Sequence, residues 1–86
     1  MIEEHRKAID KLDSELVRLL ADRLELSRKI GEEKRGTGEE IHVRTREIAI
    51  LDRVKLYGDQ LGLSEDFLTS LYQVILAESR RIQGEQ

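Results

Sequence analysis

Residues 2–35 form one uninterrupted amphipathic pattern, and this feature limits the folds that the chain can adopt. The segment contains no proline and one glycine, Gly31. With Ile2 as position a of a heptad, seven of the nine a and d positions up to residue 30 are Ile or Leu. The seven are Ile2, Ile9, Leu12, Leu16, Leu19, Leu26 and Ile30. Such a seam predicts a helix roughly 50 Å long with a coiled-coil-like face.

Two shorter helices are expected after the long one. We predict that residues 36–40, with glycines at 36 and 38, end the first helix and connect it to the second. The second helix is expected to begin near residues 43–45. Its predicted apolar stripe is Ile50, Val54, Tyr57 and Leu61, with Leu51 beside it.

The boundary between the second and third helices has a clear local signature. Gly62 suits the left-handed position after a helix end. Ser64 suits the N-cap of the third helix, because two acidic residues follow it in the first turn. The third helix is expected to fray at Gly84. The sequence therefore predicts an all-α fold of one long and two shorter helices.

Composition excludes several classes of protein. The chain has 86 residues, enough for a single domain over residues 1–86, and it has no cysteine for disulfides or thiolate metal sites. Its two histidines are too few to suggest a zinc centre. The net charge of −3 argues against nucleic acid as a partner. No apolar run approaches the roughly 20 residues that span a bilayer, so we expect a cytoplasmic protein.

The long seam also predicts the assembly. A helix of roughly 50 Å has no partner of matching length within this chain, since the other two helices are much shorter. A second copy of the chain would cover the whole seam. We therefore expect an intertwined helical homodimer.

Cationic residues interrupt the apolar faces at informative positions. Arg23 occupies an a position, where its guanidinium either turns outward after a register shift or faces a cavity that holds an anion. Lys34 lies three turns further along nearly the same face, although a solvated lysine at a helix end is the simpler interpretation. Arg6 is about 25 Å from Arg23 along the helix, so it would reach such a cavity only in the partner chain of an antiparallel dimer.

Three polar residues complete this set. Glu47 belongs to the apolar stripe of the second helix, or else is a first-turn acid, with Arg46 beside it pointing elsewhere. Ser79 and Gln83 are four residues apart on the inner face of the third helix, unless the helix end leaves them in solvent. Cations, one carboxylate and neutral donors suit electrostatic stabilisation of a small polyanion.

The ordered set of motifs resembles the all-helical class of chorismate mutases, in particular the mutase domain of bacterial mutase–prephenate dehydratases. The matching stretches are Arg6-x-x-Ile9-x-x-Leu12-Asp13, Leu19-Leu20-Ala21-Asp22-Arg23, Ile30-Gly31-x-x-Lys34, Arg46-Glu47 and Ser79-x-x-x-Gln83. The resemblance implies three helices per chain in an intertwined dimer. It also implies the pericyclic rearrangement of chorismate to prephenate in Phe and Tyr biosynthesis, without cofactor or metal.

The resemblance assigns a role to each matched residue. Arg23, and Arg6 of the partner subunit, would bind the substrate carboxylates, with Arg46 in support. Lys34 and Gln83 would address the ether oxygen and the neighbouring carboxylate, and Ser79 would lie beside the ring carboxylate. Glu47 would accept a hydrogen bond from the ring hydroxyl.

One position departs from the pattern, and two other functions remain open. Val43 stands where the pattern of the resembled family has Asp, four residues before Glu47, and we expect this departure to have a modest effect on recognition of the hydroxyl. An isochorismate-pyruvate lyase on the same scaffold is the first alternative. A non-catalytic helical dimerisation or regulatory module is the second.

Overall fold

Three α-helices account for nearly all of the described chain. The computed structural model describes residues 1–37 and 44–84. Helix α1 spans Ile2–Thr37, α2 spans Arg44–Gln60 and α3 spans Glu65–Gly84. No strand occurs in these two segments, which confirms the all-α prediction. No helix in them is long and apolar enough to cross a bilayer.

The first helix continues further than the sequence suggested. We expected the glycine at 36 to end it, but α1 runs on to Thr37. Gly62 is the only described residue with a positive φ, so Gly36 keeps a helical backbone instead of terminating α1. A glycine inside a helix costs about 1 kcal/mol relative to alanine, which a helix of 36 residues tolerates.

The turn between α2 and α3 follows the predicted signature. Gly62 has a φ of 79°, and its N–H donates to the carbonyl of Asp59 at 3.1 Å. The N–H of Leu63 donates to the carbonyl of Gly58 at 2.9 Å, which completes a Schellman motif. Ser64 Oγ accepts a hydrogen bond from the N–H of Phe67 at 3.2 Å, as expected of an N-cap.

Helix α3 packs against both other helices. Within the described residues, α1 and α2 have no Cα atoms within 8 Å of each other, whereas each approaches α3. The core is small, and its buried apolar side chains are Ile50, Leu68 and Leu76. The described residues form an elongated body of 54 × 25 × 15 Å.

The inner face of α2 differs from the predicted stripe. Ile50 is buried and Val54 is half-buried, but Tyr57 and Leu61 are 61% and 60% exposed in the single chain. The helix instead turns Gly58 towards α3. A Cβ atom on Gly58 would lie 1.9 Å from Leu68 Cδ1, so the absence of a side chain makes room for that leucine. Hydropathy does not mark a glycine as a contact, so Gly58 is missing from the predicted stripe, whose C-terminal end is exposed in the single chain.

The apolar seam of α1 remains uncovered within one chain. Ile9, Leu12, Leu16 and Leu19 are each more than half exposed. Only the C-terminal half of α1 contributes buried positions, at Ser27 and Gly31. The single chain therefore leaves an apolar face along the N-terminal half of its longest helix.

Candidate active site

A cleft of ≈ 470 Å³ lies where the C-terminal half of α1 meets α2 and α3. Six of the residues selected from the sequence line it: Arg23, Lys34, Arg46, Glu47, Ser79 and Gln83. Each comes from one of three different helices, so the cleft exists only after the chain has folded. The sequence spacing indicated shared faces within each helix, and the packing of α3 brings those faces together.

The lining of the cleft is strongly cationic. Its cationic residues are Arg23, Lys34, Arg46, Arg53 and Arg80, whereas Glu47 is its acidic one. The whole chain carries a net charge of −3, so positive charge is concentrated here against the overall balance. A cleft with one sign of charge on its walls attracts small ligands of the opposite sign. This cleft therefore suits a small anion.

Arg23 is half-buried on the α1 wall of the cleft. Its guanidinium carbon lies 5.8 Å from the centroid of the Tyr72 ring on α3. This distance is within the range of a cation–π contact, which favours a cation over the aromatic face. The contact holds the guanidinium of Arg23 beside Tyr72 of α3, and its N–H groups can still donate to a ligand.

A directional chain of hydrogen bonds crosses from α3 to α1 beside Arg23. Because a carbonyl oxygen only accepts, the Ser27 hydroxyl donates to the Arg23 carbonyl oxygen at 3.2 Å. The single hydrogen of Ser27 is then engaged, so the 2.6 Å contact between Ser27 Oγ and Ser79 Oγ is donated by Ser79. Ser79 in turn accepts from Gln83 Nε2 at 3.3 Å. One of the two amide hydrogens of Gln83 is thereby oriented, and the other remains for a ligand.

The backbone of Gln83 is held against α1 by two features. Gly31 allows the close approach, because a Cβ atom there would lie 2.6 Å from the Gln83 carbonyl oxygen and 2.7 Å from its Cα. Arg35 Nη1 donates to the same carbonyl oxygen at 2.5 Å. The side-chain Oε1 of Gln83 is buried and has no hydrogen-bond partner among the described residues. The end of α3 is thus positioned by α1, with an acceptor still to be satisfied.

Glu47 on α2 is joined to Arg80 on α3. Arg80 Nη1 donates to the two carboxylate oxygens of Glu47, at 2.7 Å and 2.8 Å. The Glu47 side chain is 21% exposed and the Arg80 side chain 37%. Both residues also line a neighbouring cleft of ≈ 340 Å³ between α2 and α3, together with Arg44. The pair therefore connects the two helices at the edge of the main cleft.

Two predicted site residues lie elsewhere. Arg6 is exposed on the N-terminal half of α1 and is 3.8 Å from Glu3, outside the lining of the cleft. This location agrees with the expectation that it cannot serve the cleft of its own chain. Val43 lies outside the described residues.

Sequence reasoning missed three polar residues of the cleft: Ser27, Arg53 and Arg80. Helical spacing contained the signal for all of them. Ser27 is four residues after Arg23 on the same face of α1. Arg80 is four residues after Leu76, which faces the core, and Arg53 is seven residues after Arg46.

The described segments contain no group of three or more His, Asp or Glu placed to hold a metal ion. The cleft instead offers guanidinium, ammonium, hydroxyl and amide donors. Such groups bind carboxylates and stabilise developing negative charge on oxygen.

Comparison with known proteins gives a consistent result. Residues 5–84 match the model of the family described as chorismate mutase type II. A T-protein of Haemophilus influenzae is 36% identical over 78 residues, which are 91% of this chain and 21% of the relative. The chain thus spans about a fifth of that protein's length.

Two relatives are closer to this chain in length. A chorismate mutase of Methanocaldococcus jannaschii is 27% identical over 82 residues, which cover 95% of this chain and 83% of the relative. A 4-amino-4-deoxychorismate mutase of Streptomyces venezuelae is 32% identical over 78 residues, which cover 91% of this chain and 76% of the relative.

Proposed function

The chain belongs to the chorismate mutase type II family, and from this premise we propose that it catalyses the rearrangement of chorismate to prephenate. In this reaction the ether C–O bond breaks while a C–C bond forms, both within one molecule. No proton is transferred and no covalent bond to the enzyme is required. The protein acts as an isomerase in the route to Phe and Tyr, with residues 1–86 as one mutase domain.

The observation that carries the proposal is the cationic cleft with its oriented neutral donor. Chorismate is a dianion, and the cleft presents five cationic side chains around its walls. Negative charge develops on the ether oxygen as its bond to carbon breaks. Gln83 has one amide hydrogen oriented towards Ser79, which leaves the other to donate to that oxygen. Binding of the substrate carboxylates by the cations and placement of the Gln83 donor together favour the compact, reactive conformation of chorismate.

We assign a role to each residue according to the helix from which it lines the cleft. Arg23 binds one substrate carboxylate, with Arg46 in support from α2. Lys34 at the end of α1 shares the ether oxygen with Gln83. Ser79 lies beside the ring carboxylate.

The remaining roles concern the ring hydroxyl and the second chain. Glu47 accepts the hydrogen bond of the hydroxyl, because a carboxylate is an acceptor without a hydrogen of its own. Val43 provides no polar side chain for that hydroxyl. Arg6 of the partner subunit binds the other carboxylate.

An intertwined homodimer is part of the proposal. Its support is the uncovered seam of α1, where Leu12 is 61% exposed and Leu16 55% exposed. Monomeric proteins seldom expose apolar residues in one continuous stripe. A second copy packed along this stripe would cover it and would bring a second Arg6 towards each cleft. A cytoplasmic location stays a prediction.

The two alternatives are not favoured. The matching family is described as chorismate mutase type II, and the relative that this chain covers to 83% is named chorismate mutase, so both favour the mutase over an isochorismate-pyruvate lyase. A dimerisation or regulatory module gives no reason for the gathering of cations and oriented donors in one cleft.

The direct test follows the absorbance of chorismate with purified protein and identifies prephenate as the product. Arg23→Ala should lower kcat/KM by about a hundredfold or more, because a charged contact to substrate is lost. Arg18→Ala is the matched control, since Arg18 on the same helix is exposed and pairs with Asp22. The proposal fails if the wild type does not convert chorismate, or if a folded Arg23→Ala variant retains full turnover.

A mixing experiment tests the shared site. Arg6→Ala and Arg23→Ala should each be nearly inactive alone, but heterodimers of the two would contain one intact site. After unfolding and refolding together, an equal mixture should recover about one quarter of the wild-type activity, because random pairing gives one intact site in four. No recovery, or a monomer in sedimentation, would rule out the shared site.

A further inference from the structure

The ion pair between Glu47 and Arg80 changes what the carboxylate can recognise. Arg80 Nη1 lies 2.7 Å and 2.8 Å from the two oxygens of Glu47, so a positive charge sits directly against the carboxylate. A carboxylate has two oxygens with two acceptor positions each, so it can accept a hydrogen bond from a ligand while it is paired with an arginine. Glu47 therefore still accepts from a neutral donor, but its negative charge is compensated.

The surroundings strengthen this compensation. Further cations line the same cleft at Arg23, Lys34, Arg46 and Arg53, and Arg44 lines the neighbouring cleft that shares the pair. A neutral hydroxyl beside Glu47 experiences little of this charge, whereas an ammonium is repelled by it. The pair of Glu47 and Arg80 is partly buried, so water screens the repulsion between the cations and an ammonium less strongly.

We infer that Arg80 is a specificity-determining residue that makes the Glu47 site select a hydroxyl over an amino group on the substrate ring. The inference rests on the proposed function, because it concerns the group that Glu47 contacts. An alkylamine is largely protonated near neutral pH, so the amino analogue of chorismate would bring a positive charge to this position. Arg80 contacts Glu47 from α3 and acts on the substrate through it, so it is a positioning residue in this respect.

The position of Arg80 supports this role over that of a surface charge. Its neighbour Arg81 pairs with Glu78 on the same helix, at 2.7 Å and with both side chains about half exposed. Arg80 instead reaches from α3 to α2, across 33 residues of sequence, to a carboxylate in the cleft. The two adjacent arginines therefore offer a matched comparison of the same residue type with different partners.

The test measures kcat/KM for chorismate and for 4-amino-4-deoxychorismate with the same enzyme preparations. In Arg80→Gln the preference for chorismate should fall by about tenfold or more, because Glu47 loses the cation that lies nearest to it in the structure and attracts the ammonium more strongly. Arg80→Lys should keep most of the preference, because the positive charge remains. Arg81→Gln removes the same charge from the chain and should leave the preference unchanged.

The ratio of the two kcat/KM values separates this role from a structural one. A loss of folded protein lowers both values equally and cancels in the ratio. Should Arg80→Gln fail to give a helical circular dichroism spectrum, Arg80→Met keeps the aliphatic stem and tests the same charge. An unchanged ratio in a folded Arg80→Gln or Arg80→Met variant would overturn the inference, as would an equal change in Arg81→Gln. Wild-type protein that converts neither compound would instead refute the proposed function itself.

Discussion

The hydroxyl oxygens of Ser27 and Ser79 lie 2.6 Å apart, and both residues are more than 90% buried. This contact joins α1 to α3 at the cleft. It is the middle step of the hydrogen-bond chain that runs from the Gln83 amide to the Arg23 carbonyl. A buried hydroxyl whose hydrogen has no acceptor is costly, so Ser79 depends on Ser27.

Ser27→Ala should lower the free energy of unfolding by about 1–2 kcal/mol, because the buried Ser79 hydroxyl loses its acceptor. We also expect kcat/KM to fall roughly two- to tenfold, because the Gln83 amide is less firmly oriented. Thermal denaturation and steady-state kinetics measure the two effects. Ser14→Ala is the control: Ser14 makes the same bond to the carbonyl four residues earlier, at 3.2 Å, but is exposed. Equal effects of the two substitutions would show that the cross-helix contact contributes nothing.

Gly31→Ala should affect the same end of the cleft through the backbone. The added Cβ would meet the Gln83 carbonyl oxygen at 2.6 Å, so α1 and α3 must move apart. We expect a loss of about 1–3 kcal/mol in unfolding free energy and a fall in kcat/KM of about tenfold or more. Gly84→Ala provides the comparison, since a Cβ there meets no atom within 4 Å. Comparable kinetics for both alanine variants would contradict this account of Gly31.

The activity should depend little on pH between about pH 6 and pH 9. The donor that we assign to the ether oxygen on α3 is the Gln83 amide, which stays neutral and keeps its hydrogens throughout this range. Gln83→Glu should reverse this behaviour, because a glutamic acid donates only when protonated and ordinarily loses its proton near pH 4.3. The kcat/KM of the variant should therefore rise as the pH falls. A wild-type activity that drops sharply through pH 7 would argue against Gln83 as the donor.

The exposed ion pair between Glu25 and Arg28 on α1 predicts how the Glu25 carboxyl titrates in acid. Hydrogen bonds from Arg28 Nε and Nη2, at 2.9 Å and 2.6 Å, hold the pKa of the Glu25 carboxyl below its ordinary value. The pKa of Glu25 is lower in the folded state than in the unfolded state. The pair therefore stabilises the folded state slightly at pH values above the unfolded-state pKa. This stabilisation is lost as the pH falls through the folded-state pKa. NMR titration should show the lowered value, and Arg28→Gln should return it towards 4.5. The same value in both proteins would show that the pair is not formed in solution.

The sequence was sufficient for most of the fold because its signals were local. The Schellman turn at Gly62 and the N-cap at Ser64 depend on neighbours a few residues away, and both occur as predicted. The inner face of α2 depends instead on what packs against it. Gly58 became a contact because Leu68 of another helix fills the space above it, and no local pattern contains that fact.

The same distinction applies to the cleft. Arg23 and Lys34 drew attention because charge on an apolar stripe is unusual. Ser27 and Arg80 did not, because a serine beside a heptad seam and an arginine among other charges look ordinary in sequence. Their importance comes from partners 52 and 33 residues away, which only the packing of α3 reveals.

Helix α3 is in contact with both other helices, whereas α1 and α2 do not approach each other in the described segments. Helix α3 therefore sets the distance between α1 and α2, and with it the width of the cleft. The buried Leu76 lies on α3 and lines the cleft, so its volume helps to fix the distance between α1 and α2. A single side chain of α3 is thus a place where the size of an acceptable ligand can be tuned without altering any group that touches its charges.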